Sequence, residues 1–157
     1  MKDHINEKIE STNKTLVVSK KDENPKYWMA KGEYTNIVVP AKQTNSEYVI
    51  TDGIIQPGGF VPDHYHKWED QTFHIVEGSV EAKLGSEWYT LSVGDTIHCP
   101  RGTTHYIKNT GTIAARLVSY IFPGDWAEDF FAESSEQSHS GQRDLELIEE
   151  KFGVVYI

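Results

Sequence analysis

The sequence predicts an all-β fold, an antiparallel sandwich or barrel followed by a short helical tail. Three observations carry that expectation. Short apolar runs recur between glycine-rich breaks from Tyr27 to Phe122. Within them side chains alternate, as where Ile113, Ala115 and Leu117 share one face and Arg116 takes the other. No helical period of useful length precedes Pro123.

The runs fall at residues 36–39, 48–55, 71–76, 80–84, 88–93, 96–99, 105–108 and 113–122. Turn chemistry separates them: Pro57-Gly58-Gly59, Glu77-Gly78, Leu84-Gly85-Ser86, Gly94-Asp95, Arg101-Gly102 and Asn109-Thr110-Gly111. Ahead of them, residues 1–26 read as a polar arm with one candidate strand at Leu16-Val17-Val18, suited to pairing with the sheet edge of another subunit. Residues 27–125 read as the β-barrel. Residues 126–157 read as a helical extension packed on it. There, Asp125 and Glu128 have capping-box spacing ahead of Phe130 and Phe131, which predicts a short helix. Residues 134–142 read as a polar loop. Asp144 then caps a final helix with Leu145, Ile148 and Phe152 on one face, stopped by Gly153.

Composition narrows the partners. The 157 residues carry 15 basic and 24 acidic side chains, a formal net charge of -9. Such a surface repels phosphate backbones and anionic lipid, which argues against nucleic acid and membrane as partners. No stretch approaches the ~20 apolar residues of a membrane span, and the first residues lack the apolar core of a secretion signal. Cys99 is the single cysteine, so no internal disulfide forms and a reducing cytoplasm is expected. The Asn13-Lys14-Thr15 sequon is then fortuitous.

The chemistry gathers around histidine. His64 and His66 lie two apart in an extended segment, so both leave the same face, and imidazole pairs of this kind ligate transition metals. Gly58 precedes them, and Gln71 and Gly78 follow. Gly94, Pro100, Gly102, His105 and Asn109 form a second spaced set. These two stretches resemble the paired signatures of the cupin superfamily, G-x5-H-x-H-x4-E-x6-G and G-x5-P-x-G-x2-H-x3-N. Every position matches except one, where Gln71 stands in place of glutamate. The resemblance implies a jelly-roll-like β-sandwich holding one divalent metal ion (iron, manganese, nickel, cobalt, copper or zinc) through His64, His66, Gln71 and His105. It also implies a small-molecule substrate and a homodimer. From Tyr27 to Glu133 the chain is similar to small single-domain cupins related to quercetin dioxygenases, which implies an oxygenase.

Gln71 pulls the other way. An amide oxygen brings no charge, so the ion would keep its full positive charge and act as a stronger Lewis acid. The ligand glutamate that serves quercetin dioxygenases as a base is missing. Cupins with a glutamine ligand include aromatic polyketide cyclases, hydroxynitrile lyases and enzymes that open unsaturated uronates. A redox-neutral cyclase, isomerase or lyase is therefore the alternative, and a non-catalytic ligand-binding module a further one.

Other candidates flank the ligands. Glu69 and Asp70 are the candidate catalytic carboxylates, weighed against solvated loop residues. Strand parity places Phe73 and Ile75 on the face of Gln71 and turns His74 away. His98, Tyr65 and Tyr106 likewise point away from the site. Phe73, Ile75, Trp126 and Phe130 are the expected pocket residues, and Arg101 a surface cation.

Overall fold

A computed structural model describes residues 18–157, which form two antiparallel sheets packed face to face. In chain order the strands are β1 (Lys26–Ala30), β2 (Glu33–Val39), β3 (Val49–Ile55), β4 (Phe60–His66), β5 (Asp70–Glu77), β6 (Ser79–Leu84), β7 (Glu87–Ser92), β8 (Thr96–Cys99), β9 (His105–Lys108), β10 (Ala115–Phe122) and β11 (Val154–Tyr156). One sheet runs β1-β2-β3-β10-β5-β8 and the other β11-β4-β9-β6-β7. The all-β sandwich read from the apolar runs is the observed architecture.

Alternation explains the packing. Gln71, Phe73 and Ile75 of β5 point inward, as do Ala115, Leu117, Ser119 and Ile121 of β10 and His105 and Ile107 of β9. The interior divides into two apolar clusters. One is built around Ile55, Phe73, Ile75, Ile107 and Leu117; the other contains Met29, Val49, Ile121, Phe130, Phe131 and Val154. Two glycines are required by close approach. A Cβ at Gly78 (φ +72) would lie 2.9 Å from the carbonyl oxygen of Ala114, and one at Gly153 (φ +66) would lie 2.7 Å from the Trp68 ring.

The tail departs from the sequence expectation in several places. Helix α1 (Ala127–Ser140) runs through the segment expected to be a polar loop. Its polar residues do the packing: Ser134 and Gln137 are buried, Ser138 Oγ donates to the Met29 carbonyl, and Gln137 Oε1 accepts from the Asp144 amide. Tertiary hydrogen bonds here override composition. Glu128 closes no capping box; its carboxylate accepts from the Ala41 amide at 2.7 Å, tying α1 to the loop after β2. Helix α2 (Leu145–Phe152) has the expected caps, with Asp144 Oδ1 accepting from the Leu147 amide and Gly153 left-handed. Only Ile148 and Phe152 are buried on it, since Leu145 is exposed. Ile113 is also exposed, because β10 begins only at Ala115. Strand β11 had no counterpart in the sequence reading. Leu16 and Val17 lie outside the described residues, and Val18 is exposed and in no strand. Among the described residues no helix is long and apolar enough to cross a membrane.

Candidate metal centre

Three strands and one turn bring the motif residues together. His64 and His66 leave the inner face of β4, which lies between β11 and β9, with Tyr156 opposite His64 and Val154 opposite His66 in register. His105 opens β9 and pairs with His64 across the ladder. The turn before β9 is held in place by the Gly102 amide, which donates to the His66 carbonyl at 2.7 Å. Gln71 arrives from β5 in the opposite sheet. All four side chains are buried.

Hydrogen bonds at the far side of each ring fix what points inward. His64 Nδ1 donates to the Pro62 carbonyl at 2.7 Å, His105 Nδ1 to the Thr103 carbonyl at 3.2 Å, and His66 Nδ1 to Glu69 Oε1 at 2.9 Å. Each Nε2 lone pair is therefore free to face the interior. Gln71 Nε2 donates to Ser119 Oγ at 2.8 Å, which turns Oε1 toward His66 Nε2, 2.9 Å away. His64 Nε2 and His66 Nε2 stand 3.2 Å apart, and His105 Nε2 is buried with no hydrogen-bond partner among the described residues.

The donor set fits a metal ion. One ring nitrogen from each of His64, His66 and His105 lies within 4.8 Å of the others. Lone pairs this close, with an amide oxygen added, repel unless a proton or a cation lies among them. Protons are disfavoured there. Burial, then the two neighbouring imidazoles, hold His64 well below its ordinary pKa, and burial, then His66, pushes His105 down to about 4. Neutral imidazoles converging on one point are the ligand state that transition metals require.

Of the two candidate catalytic carboxylates, Glu69 lies at the site. It is buried, and while Oε1 holds His66, Oε2 has no partner among the described residues. A carboxylate behind a ligating imidazole fixes its tautomer and raises its basicity. Asp70, the other candidate base, does not reach the site. As first residue of β5 it points opposite to Gln71, and it takes the Arg101 amide and guanidinium at 2.9 and 3.0 Å. Those bonds hold its carboxyl below the usual range.

A narrow cavity of about 60 Å³ runs inward between the two apolar clusters and reaches His64, His66, Glu69 and Gln71. Phe73 and Phe130 line it, together with Met29, Leu117, Ile121 and Phe131. Two expected pocket residues do not. Ile75 is fully enclosed in the core, one inward position beyond Phe73. Trp126 is half exposed and packs on Trp68, ring centroids 4.9 Å apart, away from the cavity. His74 and His98 point outward, to Thr96 and Thr72. Sequence reasoning missed Glu33, Arg143 and Tyr156 in the lining, which come from outside the motifs. Ser119 was within reach, because its parity with Leu117 and Ile121 places it inside.

Comparison with known proteins agrees with this geometry. The Cupin domain family matches residues 52–121. The tetracenomycin polyketide synthase protein TcmJ of Streptomyces glaucescens is 33% identical over 69 residues, covering 44% of this chain and 46% of that protein. Quercetin 2,3-dioxygenase of Bacillus subtilis is 27% identical over 95 residues, 60% of this chain and 28% of its own length. The chain thus spans less than half the length of either relative. The structure of KdgF from Halomonas sp. superposes with a TM-score of 0.63 at 21% identity, covering 69% of this chain and 94% of that one, a likeness of fold alone.

Proposed function

We propose that this protein, a small cupin similar to quercetin dioxygenase-like proteins, is a mononuclear metal-dependent enzyme acting on a small enolisable molecule. His64, His66, His105 and Gln71 would hold the ion, which when bound supplies Lewis acidity toward a substrate oxygen. The observation that carries the reading is the convergence of three buried imidazole nitrogens beside a carboxylate oxygen that has no partner among the described residues. Glu69 Oε1 orients His66. Glu69 Oε2 is the group available to take a proton from substrate carbon or hydroxyl, in reach of the same cavity. Phe73, Phe130 and Leu117 exclude water and sandwich an apolar body.

The neutral ligand set favours a redox-neutral outcome, cyclisation, isomerisation or elimination, and the likeness to a polyketide synthase protein supports it. Oxygenation is the second reading, supported by the likeness to quercetin 2,3-dioxygenase. Elemental analysis of purified protein, oxygen uptake with flavonols, and anaerobic deuterium exchange from D2O into enolisable ketones separate them. The first reading expects bound metal, exchange that Glu69→Gln abolishes, and no oxygen consumption. Stoichiometric oxygen uptake replaces it with the second. Protein that takes up no transition ion overturns both.

A further inference from the structure

The cavity has a second set of polar lining residues besides the histidine cluster. Glu33, at the start of β2, and Arg143, in the turn between α1 and α2, both line it, and both lie outside residues 52–121. Tyr156 of β11 links the two sets. Its ring centroid is 5.7 Å from that of His64, and Arg143 Cζ sits 5.7 Å from the centroid of the same ring.

The charges in this second set are unbalanced. Of the three arginines, Arg101 pairs with Asp70, and Arg116 with Asp52 and Glu77. Arg143 makes no ion pair among the described residues, and it is the one Lys or Arg in the lining. Glu33 does not neutralise it. Burial, opposed only in part by Arg143, raises that carboxyl to about 8, so it keeps its proton near neutrality and offers a hydrogen-bond donor. In a chain of net charge -9, the Arg143 guanidinium offers donors only, and the protonated Glu33 carboxyl adds one O–H donor while its carbonyl oxygen can still accept.

We propose that Arg143 is a specificity-determining residue that receives a carboxylate, so that the substrate class is a small apolar molecule with a metal-binding enol or hydroxyl pair at one end and a carboxylate at the other. Glu33 donates a second hydrogen bond to that carboxylate, and Tyr156 flanks the body between the two sets of polar residues. This rests on the metal-dependent reading above.

A matched pair of probes tests it on cobalt(II)-loaded protein, followed by the visible absorbance of the metal. 3,4-Dihydroxyphenylacetate carries a catechol and a remote carboxylate; 4-methylcatechol lacks the carboxylate. Wild-type protein should bind the acid roughly tenfold more tightly than the neutral catechol, a modest factor because Arg143 is exposed. Arg143→Met should erase that preference while leaving metal content and 4-methylcatechol affinity unchanged. Equal affinities in wild type, or equal weakening of both probes by Arg143→Met, would overturn the proposal and leave the metal-dependent reading standing. Protein that takes up no cobalt fails the underlying reading, and this proposal with it.

Discussion

Glu69 offers the sharpest test of how the site is built, because two of its effects have opposite sign. Its Oε1 accepts a 2.9 Å hydrogen bond from His66 Nδ1, with both side chains less than a tenth exposed. A charge-assisted bond of this kind contributes about 1.5–3 kcal/mol. Partners behind metal-ligating histidines typically govern ten- to a hundredfold in metal affinity. Glu69→Ala removes the bond, so the metal dissociation constant should rise by about that ten- to hundredfold range. Glu69→Gln keeps an oxygen to accept from Nδ1 and loses only the charge, so its increase should be smaller. Stability of the metal-free protein should respond differently. Oε2 is buried without a partner among the described residues, and an unpaired buried carboxylate oxygen costs folding free energy. Glu69→Gln should therefore leave the metal-free melting temperature unchanged or raised. Competition titration against a chromophoric chelator measures the first effect and calorimetry of chelator-treated protein the second. If Glu69→Ala binds metal as tightly as wild type, the carboxylate does not support His66 and the reasoning fails.

Further outcomes follow from other contacts. Gln71→Glu adds a negative charge beside His66, so divalent metal should bind roughly tenfold more tightly, while deuterium exchange slows as Lewis acidity falls; faster exchange in the variant would contradict the role given to the neutral ligand. Asn109 is almost fully buried, donates to the Ile55 and Ile113 carbonyls and accepts from the Gly111 amide. Asn109→Ala should cost about 2–4 kcal/mol by urea denaturation, since it strands two carbonyls and an amide. Asp70→Asn should cost far less, as its Arg101 partner is exposed. Because the folded pKa of Asp70 lies below its ordinary value, that small contribution is present above pH 4 or so and lost as pH falls through the folded pKa. A wild-type-minus-variant difference that grows in acid would reverse the assigned sign.

What the sequence made legible was whatever repeats with the period of a strand. His64 and His66 share a face because they are two apart, and Gln71, Phe73 and Ile75 do so for the same reason. Parity placed His74 and His98 outside without any knowledge of the partner strands. It had no means of ranking depth, which is why Ile75 was expected in the pocket although Phe73 lies between it and the opening. For Glu69 the choice between a catalytic carboxylate and a solvated loop residue stayed open in the sequence because it falls in the bend between β4 and β5, where no period applies, and only the position of His66 Nδ1 explains its burial. The tail was least legible. The polar run from Ser134 to Ser140 is helical because Met29 and Asp144 supply partners far away in sequence. Nothing local marks Glu33, Arg143 or Tyr156 as neighbours, since folding alone assembles them.

The pairing of β11 with β4 carries a thermodynamic consequence. Val154, Val155 and Tyr156 form a ladder with His66, Tyr65 and His64, so the backbone bearing two of the imidazoles is clamped by a strand that follows both helices. Cation occupancy and docking of this last strand are thus linked equilibria, each drawing on the free energy of the other. Filling the centre should slow amide hydrogen exchange at Val154–Tyr156, and proteolytic nicking in the turn between α1 and α2 should weaken metal binding.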